Sequence, residues 1–282
     1  MAAPPTAVEE RQPSSPDSAS GVIVFDKVSL AFDDNRVLDQ ISFRLAKGET
    51  KAIFGVAGSG KSTILKLALG LLKPDSGRIY VLGEDVTQMR EEELFDLRRR
   101  IGMVFQESAL FDSLTVRENV AFRLLEEGNV SEEVVERPVR ESLSFVELEN
   151  TVDKFPSELS GGMRRRVAIA RAIITHPEIL LYDSPTGGLD PVTSTTIIEL
   201  IIKQRDVYKT SALMVTHRLQ DAFIMASHYF DPKTNQMQPL PPGTHGEVPM
   251  GFLILRDGRI IFDGDVHELA HTRDEYIREY IS

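Results

Sequence analysis

The chain has 282 residues, no cysteine, and 43 acidic against 32 basic side chains, which gives a formal net charge of −11. The lack of cysteine excludes disulfides, thiolate metal sites and a cysteine nucleophile, and the negative charge argues against nucleic acid as the main partner. No apolar run reaches the roughly 20 residues of a membrane-spanning helix, and the N-terminus lacks the apolar region of a secretory signal. We therefore expect a cytoplasmic globular protein.

The N-terminal segment, residues 1–20, is rich in Pro, Ser and Ala and contains little that can be buried. It is predicted to be a disordered tail, followed by a single domain at 21–282. Alternating apolar residues predict strands at 22–25, 28–32 and 41–45.

A glycine-rich stretch joins a predicted buried strand at 51–54 to a predicted helix at 64–69. Its sequence is Gly55-Val56-Ala57-Gly58-Ser59-Gly60-Lys61-Ser62-Thr63, which fits the pattern G-x-x-x-x-G-K-[ST] of nucleotide phosphate sites. Backbone N–H groups converge in such a loop, and the helix N-terminus adds the positive end of its dipole. Lys61 is expected to reach the β- and γ-phosphates, and the Ser62 hydroxyl to bind Mg²⁺.

The alternative is a glycine-rich turn that holds no ligand. The strand before it and the helix after it favour a site for a nucleoside triphosphate. The predicted contacts with that cofactor are Gly55, Gly58, Ser59, Gly60, Lys61, Ser62 and Thr63.

Strands and helices alternate through the rest of the chain, which indicates an α/β fold with a largely parallel sheet and antiparallel strands added at both ends of the sequence. The region 107–177 has a helical pattern, and Asp257-Gly258 predicts a hairpin between two apolar strands. The polar, Pro-rich stretch 231–249 is either a mobile surface insertion or a docking loop for a partner. Further strands are predicted at 78–81, 101–105, 179–182, 211–215, 252–256 and 259–262, and further helices at 91–100, 192–206, 219–226 and from 266 onward.

Asp183 follows the predicted strand at 179–182, at the edge of the sheet where the phosphate loop is also expected. A carboxylate at this position completes the Mg²⁺ coordination begun by Ser62. The alternative is that Asp183 only caps the next helix. The phosphate loop upstream favours the metal role.

The sequence Leu159-Ser160-Gly161-Gly162-Met163 lies before the strand that carries Asp183, and it resembles the signature of ATP-binding cassette (ABC) ATPases. The resemblance covers nearly all of 22–282. It implies the ABC cassette of the P-loop NTPase fold, with a RecA-like parallel-sheet core, an antiparallel β subdomain and an α-helical signature subdomain at about 107–177. The other motifs of the family occur in order. Phe32 is at the position of the aromatic residue that stacks on adenine, and Gln106 is at the position of the Q-loop glutamine. Gly187-Gly188-Leu189-Asp190 matches the D-loop, and His217 matches the switch histidine.

The family implies ATP and Mg²⁺ as cofactors and a head-to-tail homodimer that holds two ATPs between its protomers. Ser160, Gly161 and Gly162 are then expected to contact the γ-phosphate held by the other subunit, and Asp190 is counted with the nucleotide contacts. Ser160 also suits a helix N-cap, so a plain cap without a ligand is the alternative. Of the arginines at 164–166, the last two are expected on the surface of the signature helix.

Three further residues take their roles from the same resemblance. Gln106 joins Ser62 and Asp183 as the predicted metal ligands. His217 is expected to contact the γ-phosphate, and the alternative is a structural histidine with satisfied hydrogen bonds. Phe32 is expected to stack on adenine, and the alternative is a residue of the core.

Ser184 stands where active members of the family have a glutamate that polarises the attacking water. A hydroxyl has no useful basicity near neutral pH, and the loss of a general base typically costs about 10²–10⁴-fold in rate. Either Ser184 is native, and slow turnover relies on His217 and a water held by Gln106, or a glutamate was replaced to trap the ATP-bound dimer. The predicted catalytic group is His217, Gln106, Ser184 and Lys61.

The segment 103–122 and the signature Leu-Ser-Gly-Gly-Met look most like the ATPases of the Mla, or MCE-associated, lipid-transport systems. That likeness implies phospholipid transport between bacterial membranes, with a permease of the MlaE type, an MCE-domain lipid-binding protein and an ATPase peripheral on the inner membrane. Residues 106–122 form the expected permease groove, with Leu110 and Phe111 either in that interface or in the core. The alternatives are the ATPase of another ABC importer or exporter, and an ATP-gated dimerising scaffold with little hydrolysis.

Overall fold

The computed structural model describes residues 21–126, 132–241, 244 and 246–281. The predicted tail at 1–20 lies outside the described residues. In chain order the strands are β1 (Ile23–Phe32), β2 (Asn35–Leu45), β3 (Thr50–Gly55), β4 (Ser76–Val81), β5 (Glu84–Asp85), β6 (Ile101–Val104), β7 (Ile179–Asp183), β8 (Ser211–Val215), β9 (His228–Asp231), β10 (Gln236–Pro239), β11 (Met250–Arg256) and β12 (Arg259–Asp265).

The helices lie between and after these strands. The tail from 266, predicted to be helical, forms two helices because Asp274 accepts a hydrogen bond from the N–H of Ile277 (3.0 Å) and so starts a second one. None of the helices in the described ranges is both long enough and apolar enough to cross a membrane. They are α1 (Lys61–Ala68), α2 (Glu91–Arg98), α3 (Val116–Glu126), α4 (Glu132–Phe145), α5 (Gly161–Ile173), α6 (Pro191–Tyr208), α7 (Leu219–Ser227), α8 (Val266–Ala270) and α9 (Glu275–Ile281), with short 3-10 helices at Glu149–Thr151 and Pro156–Glu158.

The largest sheet has the strand order β12-β11-β3-β8-β7-β6, and its strands are parallel except for β12 at the edge. Its central strands β3 and β8 are buried along their whole length, as is typical of parallel strands covered on both faces. The register pairs Val215 with both Ile53 and Asp183, so β3, β8 and β7 end at the same edge of the sheet. The predicted α/β fold is confirmed, and this edge is where the site residues gather.

A second sheet, with the order β2-β1-β4-β5, is antiparallel throughout. It packs with α1 around a buried apolar cluster in which the rings of Phe25 and Phe43 stack with their centroids 4.7 Å apart. Two strands are predicted, at 22–25 and 28–32, where the structure has β1 alone. The strand is single because an irregular register between Phe25 and Val28 keeps its pairing with β2 continuous. This sheet places Phe32 at the end of β1.

Helices α3 and α4 both pack on α5 and form a helical lobe. Val120, Leu143 and Val167 are buried in the apolar cluster that these helices share. Arg123 of α3 donates from Nη1 to the carbonyl of Ile101 at 2.8 Å, which ties the lobe to the parallel sheet.

The stretch 231–249, predicted to be either a mobile surface insertion or a docking loop, contains strand β10, which forms an antiparallel hairpin with β9. The hairpin packs against α6, where the buried guanidinium of Arg205 donates to the carbonyl of His228 at 2.8 Å. Sequence periodicity gives no sign of β10, because its short polar strand is held by the contact with α6 rather than by its own composition.

Candidate nucleotide site

The phosphate loop, residues 55–63, joins the end of β3 to the start of α1. Gly60 has a φ of 93°, and a Cβ there would lie 2.9 Å from a side-chain carbon of Leu38. Only glycine combines that backbone conformation with that close approach. The backbone N–H groups of Lys61 and Ser62 donate no hydrogen bond to another residue in the part of the chain that the structure describes. Unused N–H groups at the positive end of a helix fit a phosphate group.

Lys61 lies across the phosphate loop. Its Nζ donates to the carbonyl oxygens of Gly55 and Val56, both at 2.8 Å, and it lies 3.5 Å from Ser59 Oγ. Burial lowers the pKa of Lys61, and the charge of Asp183 acts in the opposite direction. Because all three hydrogen-bond acceptors are uncharged, the ammonium charge is available to an anionic ligand such as phosphate.

Ser62 and Asp183 come together although 121 positions separate them in the chain, and Ser62 Oγ donates to Asp183 Oδ1 at 3.0 Å. A hydroxyl and a carboxylate oxygen side by side are the hard donors that Mg²⁺ prefers, and Mg²⁺ commonly takes few protein ligands beside phosphate oxygens. The two residues therefore fit the predicted metal. The next helix, α6, is capped by Asp190 and not by Asp183.

Ser184 begins the turn between β7 and α6. Its backbone is left-handed with a φ of 47°, its N–H donates to the carbonyl of Val215 at 2.8 Å, and its side chain is buried. The Cγ of Gln106 lies 3.6 Å, and the Cβ of Ser184 3.3 Å, from the point where Gly187 would carry a Cβ. The structure thus brings Gln106 and Ser184 together next to Asp183, with a hydroxyl where a strong base is expected.

His217 is exposed just after β8, and its ring has no hydrogen-bond partner among the described residues. This environment does not support a structural histidine with satisfied hydrogen bonds. The N–H of Thr216, just before it, donates to the carbonyl of Ile53 at 3.1 Å, which places His217 near the start of the phosphate loop. Four residues further on, the buried carboxylate of Asp221 accepts a hydrogen bond from the hydroxyl of Thr186, and burial raises the pKa of Asp221. This link between the segments after β7 and β8 could not be predicted from the sequence, because its partners are 35 positions apart.

The signature residues form a second group with Asp190. Ser160 caps α5, with its Oγ accepting from an N–H of the first turn at 3.3 Å, and a Cβ at Gly162 would collide with Thr193 of α6. The carboxylate of Asp190 accepts from the N–H (3.0 Å) and the hydroxyl (2.5 Å) of Thr193. No hydrogen bond between described residues joins Ser160, Gly161, Gly162 or Asp190 to the phosphate loop.

Phe32, at the end of β1, is 47% exposed, so it is not the core residue that the alternative interpretation required. An exposed ring offers its face to a nucleotide base.

We expect Phe32→Ala to weaken ATP affinity by about 5- to 150-fold, because removing a base–aromatic stack costs about 1–3 kcal/mol. Affinity for inorganic tripolyphosphate, which has no base, should not change. Titration calorimetry on the purified chain measures both, with Phe95→Ala as the matched control because Phe95 is an exposed phenylalanine on α2. Unchanged ATP affinity in Phe32→Ala would contradict the stacking role.

Residues 38–187, more than half of the chain, match the sequence profile of the family described as "ABC transporter". The chain belongs to this family. This ABC ATPase has a TM-score of 0.72 and 29% identity to the ATP-binding cassette MJ0796, solved as a dimer in a post-hydrolysis state bound to ADP and Pi, over 86% of this chain and 98% of that one. The predicted ABC cassette of the P-loop NTPase fold, in a family of ATP-hydrolysing enzymes that use Mg²⁺, is confirmed.

Relatives of this ABC ATPase have different names. It is 37% identical to Protein TRIGALACTOSYLDIACYLGLYCEROL 3, chloroplastic, of Arabidopsis thaliana, over 89% of this chain and 70% of that protein. It is 40% identical to the methionine import ATP-binding protein MetN of Rhizobium meliloti, over 74% of this chain and 60% of that protein. It is 30% identical to the intermembrane phospholipid transport system ATP-binding protein MlaF of Haemophilus influenzae, over 88% of this chain and 85% of that protein. These relatives define the class of ATPase and leave the transported substrate open.

Arg165 and Arg166 are both predicted to lie at the surface of the signature helix. The prediction is wrong for Arg165, which is only 4% exposed. Arg165 falls on the same face of α5 as the buried Ala168 and Ile169, three and four residues further on. That spacing is the sequence signal for burial. Arg166 is half-buried and donates to the carbonyl of Val146 at 3.2 Å, away from the site.

Proposed function

We propose that this chain is the ATP-binding subunit of an ABC transporter that moves phospholipid between bacterial membranes. The observation that carries the proposal is the extent of the lipid-named similarities. The chain covers 85% of the phospholipid-transport relative and 70% of the relative named after a galactolipid, against 60% of the methionine importer. A match along most of a relative's length indicates a shared architecture more strongly than a match confined to the cassette.

The working form in this proposal is a head-to-tail homodimer. Within one chain, Ser160, Gly161 and Gly162 pack on the D-loop side, at 187–190, and have no hydrogen bond to the described phosphate loop. The cap of α5 leaves N–H groups at a helix N-terminus, which suits a phosphate supplied by another copy. The related cassette MJ0796 was solved as a dimer bound to ADP and Pi.

The proposed permease contact lies in the loop before α3, at Phe111. Phe111 is 43% exposed beside Phe122, whereas Leu110 is partly buried against the core, so the two residues predicted together have different surroundings. Buried Asn119 holds this surface in shape, because its amide donates to the carbonyls of Phe111 and Leu114, both at 3.0 Å. A fixed, exposed aromatic side chain next to polar groups is typical of a protein interface.

The proposed partners are a permease of the MlaE type and an MCE-domain lipid-binding protein, with the ATPase in the cytoplasm and peripheral on the inner membrane. Affinity capture of the full chain from detergent-solubilised membranes, with identification of co-purified proteins and lipids, tests the proposal. The expected result is a permease with bound phospholipid. A permease for amino acids, with no lipid, would contradict it.

We expect Phe111→Asp to lower permease recovery by at least about tenfold, because a desolvated carboxylate at an interface centre is unfavourable. Phe95→Asp, which places the same charge on exposed α2, is the control and should recover permease like the parent. ADP affinity, measured in parallel, should be unchanged in both variants. Equal recovery with Phe111→Asp would place the permease contact elsewhere.

A second candidate is the ATPase of another importer, which the 40% identity to the methionine import protein favours. The identity of the captured permease separates it from the lipid proposal. A third candidate is an ATP-gated scaffold with little hydrolysis, which Ser184 supports. ATP-induced dimers that release no phosphate even with the permease present would favour the scaffold.

A further inference from the structure

The guanidinium of Arg165 is buried between two segments of the site, the one after β6 and the turn after β7. Its Nη1 donates to the carbonyl of Phe105 at 2.9 Å and lies 3.5 Å from that of Ser184, and its Nη2 lies 3.3 Å from the carbonyl of Gly187. Its Nε is also buried and has no partner in the described part of the chain. None of the ion pairs between described residues includes Arg165, and the carboxylates whose charges act on it are those of Glu107 and Asp183.

A buried charge without a carboxylate partner is expensive to desolvate, so its position calls for a reason. The three carbonyls belong to two segments that are far apart in the sequence, since Ser184 and Gly187 lie in one turn. Phe105 precedes Gln106 at the end of β6, Ser184 follows Asp183 at the end of β7, and Gly187 opens the D-loop at 187–190. Arg165 is therefore a side chain that joins both segments to the signature helix α5.

We propose that Arg165 is a positioning residue for ATP hydrolysis, which fixes the spacing between Gln106 and the turn that carries residue 184 and the start of the D-loop. Hydrolysis is sensitive to such spacing, since a displacement of about 1 Å at a reacting centre costs about 10²-fold in rate. The proposal rests on the ABC ATPase family and not on the lipid substrate. It also gives the signature helix a direct mechanical connection to the segments around the γ-phosphate.

A structural role alone is the competing explanation, and Arg166 supplies a matched control. Arg166 follows Arg165 on the same helix and also donates to backbone carbonyls, those of Val146 (3.2 Å) and Glu147 (3.4 Å), which lie outside the site. Arg165→Met and Arg166→Met each remove a guanidinium and keep an apolar stem. If carbonyl binding only stabilises the fold, the two variants should behave alike.

The experiment measures three quantities for the whole chain: kcat, the KM for ATP, and the affinity for ADP. All variants are made in the Ser184→Glu chain, which serves as the parent because its rate is expected to be higher. Arg165→Met should lower kcat by at least about tenfold while KM and ADP affinity change by less than about threefold. Arg166→Met should change kcat by less than about threefold. Arg165→Lys, which keeps the charge and donates to fewer carbonyls, should lie between Arg165→Met and the parent, and it replaces Arg165→Met if that variant does not fold.

Hydrogen exchange on the nucleotide-free chain supplies a readout other than activity. In the Ser184 background, Arg165→Met should speed amide exchange in 105–108 and 184–189, and Arg166→Met should leave both segments unchanged. The proposal is overturned if kcat in Arg165→Met stays within about threefold of the parent, or if ADP affinity falls in parallel with kcat. Equal losses of kcat in Arg165→Met and Arg166→Met would overturn it as well.

Discussion

Ser184→Glu is expected to raise the rate of ATP hydrolysis by about 10²–10⁴-fold, because a carboxylate can accept the proton of the attacking water and a serine hydroxyl cannot. The backbone that carries this side chain is held in place, since the N–H of Ser184 is bonded to the carbonyl of Val215 in the neighbouring strand. Asp183 is bonded to Ser62 and fits the metal role, which leaves the next position for the base. Phosphate release from the purified chain measures the effect.

Two controls separate the base from other effects of the substitution. Ser184→Gln has the length of glutamate without its charge and should stay as slow as the parent, and Ser184→Ala should match the parent because the hydroxyl is not used. Equal rates for Ser184→Glu and Ser184→Gln would refute the role of the carboxylate. The parent itself decides between the two hypotheses for Ser184. Slow turnover that His217→Ala lowers further supports a native, weakly active site, whereas a stable ATP-bound dimer without phosphate release supports a trapped one.

Lys61→Ala is expected to weaken ATP affinity by at least about 30-fold, because removing one partner of a partly buried charge contact costs about 2 kcal/mol or more. The same change removes the hydrogen bonds from Nζ to the carbonyls of Gly55 and Val56, which hold the phosphate loop in its present conformation. Since the proposed dimer closes over ATP, the variant chains should also fail to pair at ATP concentrations that saturate the parent chain. Equilibrium binding and sedimentation velocity measure the two effects.

The control for this prediction is Lys66→Ala, which removes an exposed lysine from the same helix and leaves the phosphate loop untouched. ATP affinity and ATP-dependent pairing should both stay at the level of the parent. Retention of either property in Lys61→Ala would mean that the phosphate loop is not the nucleotide site, and the interpretation of the whole chain would then be wrong.

Features that depend on neighbouring residues in the chain could be predicted closely. The strand β8 has the predicted bounds of 211–215, and Ser160 caps its helix as its residue type indicates. Features that depend on what packs on a helix face were harder. Leu110 and Phe111 follow each other in sequence, but only the packing of α3 shows that the first faces the core and the second the surface.

Arg165 shows why sequence reasoning fails at one kind of position. An arginine in a basic run is expected in water, because a buried charge is costly, and helical spacing alone did not outweigh that expectation. The cost is met by three carbonyls from two loops that are 19 to 60 positions away in the chain. A linear sequence does not reveal such partners.

The sequence by itself determined the class of protein, because the phosphate loop and the signature are each built from consecutive residues whose local geometry follows from their types. Only the tertiary structure decided which distant groups meet. The pairing of β7 and β8 beside β3 brings Asp183 to Ser62, and the packing of α5 against the ends of β6 and β7 brings Arg165 to Phe105 and Ser184. The physical reason is that parallel strands gather their carboxyl ends at one edge, whatever the length of chain between them.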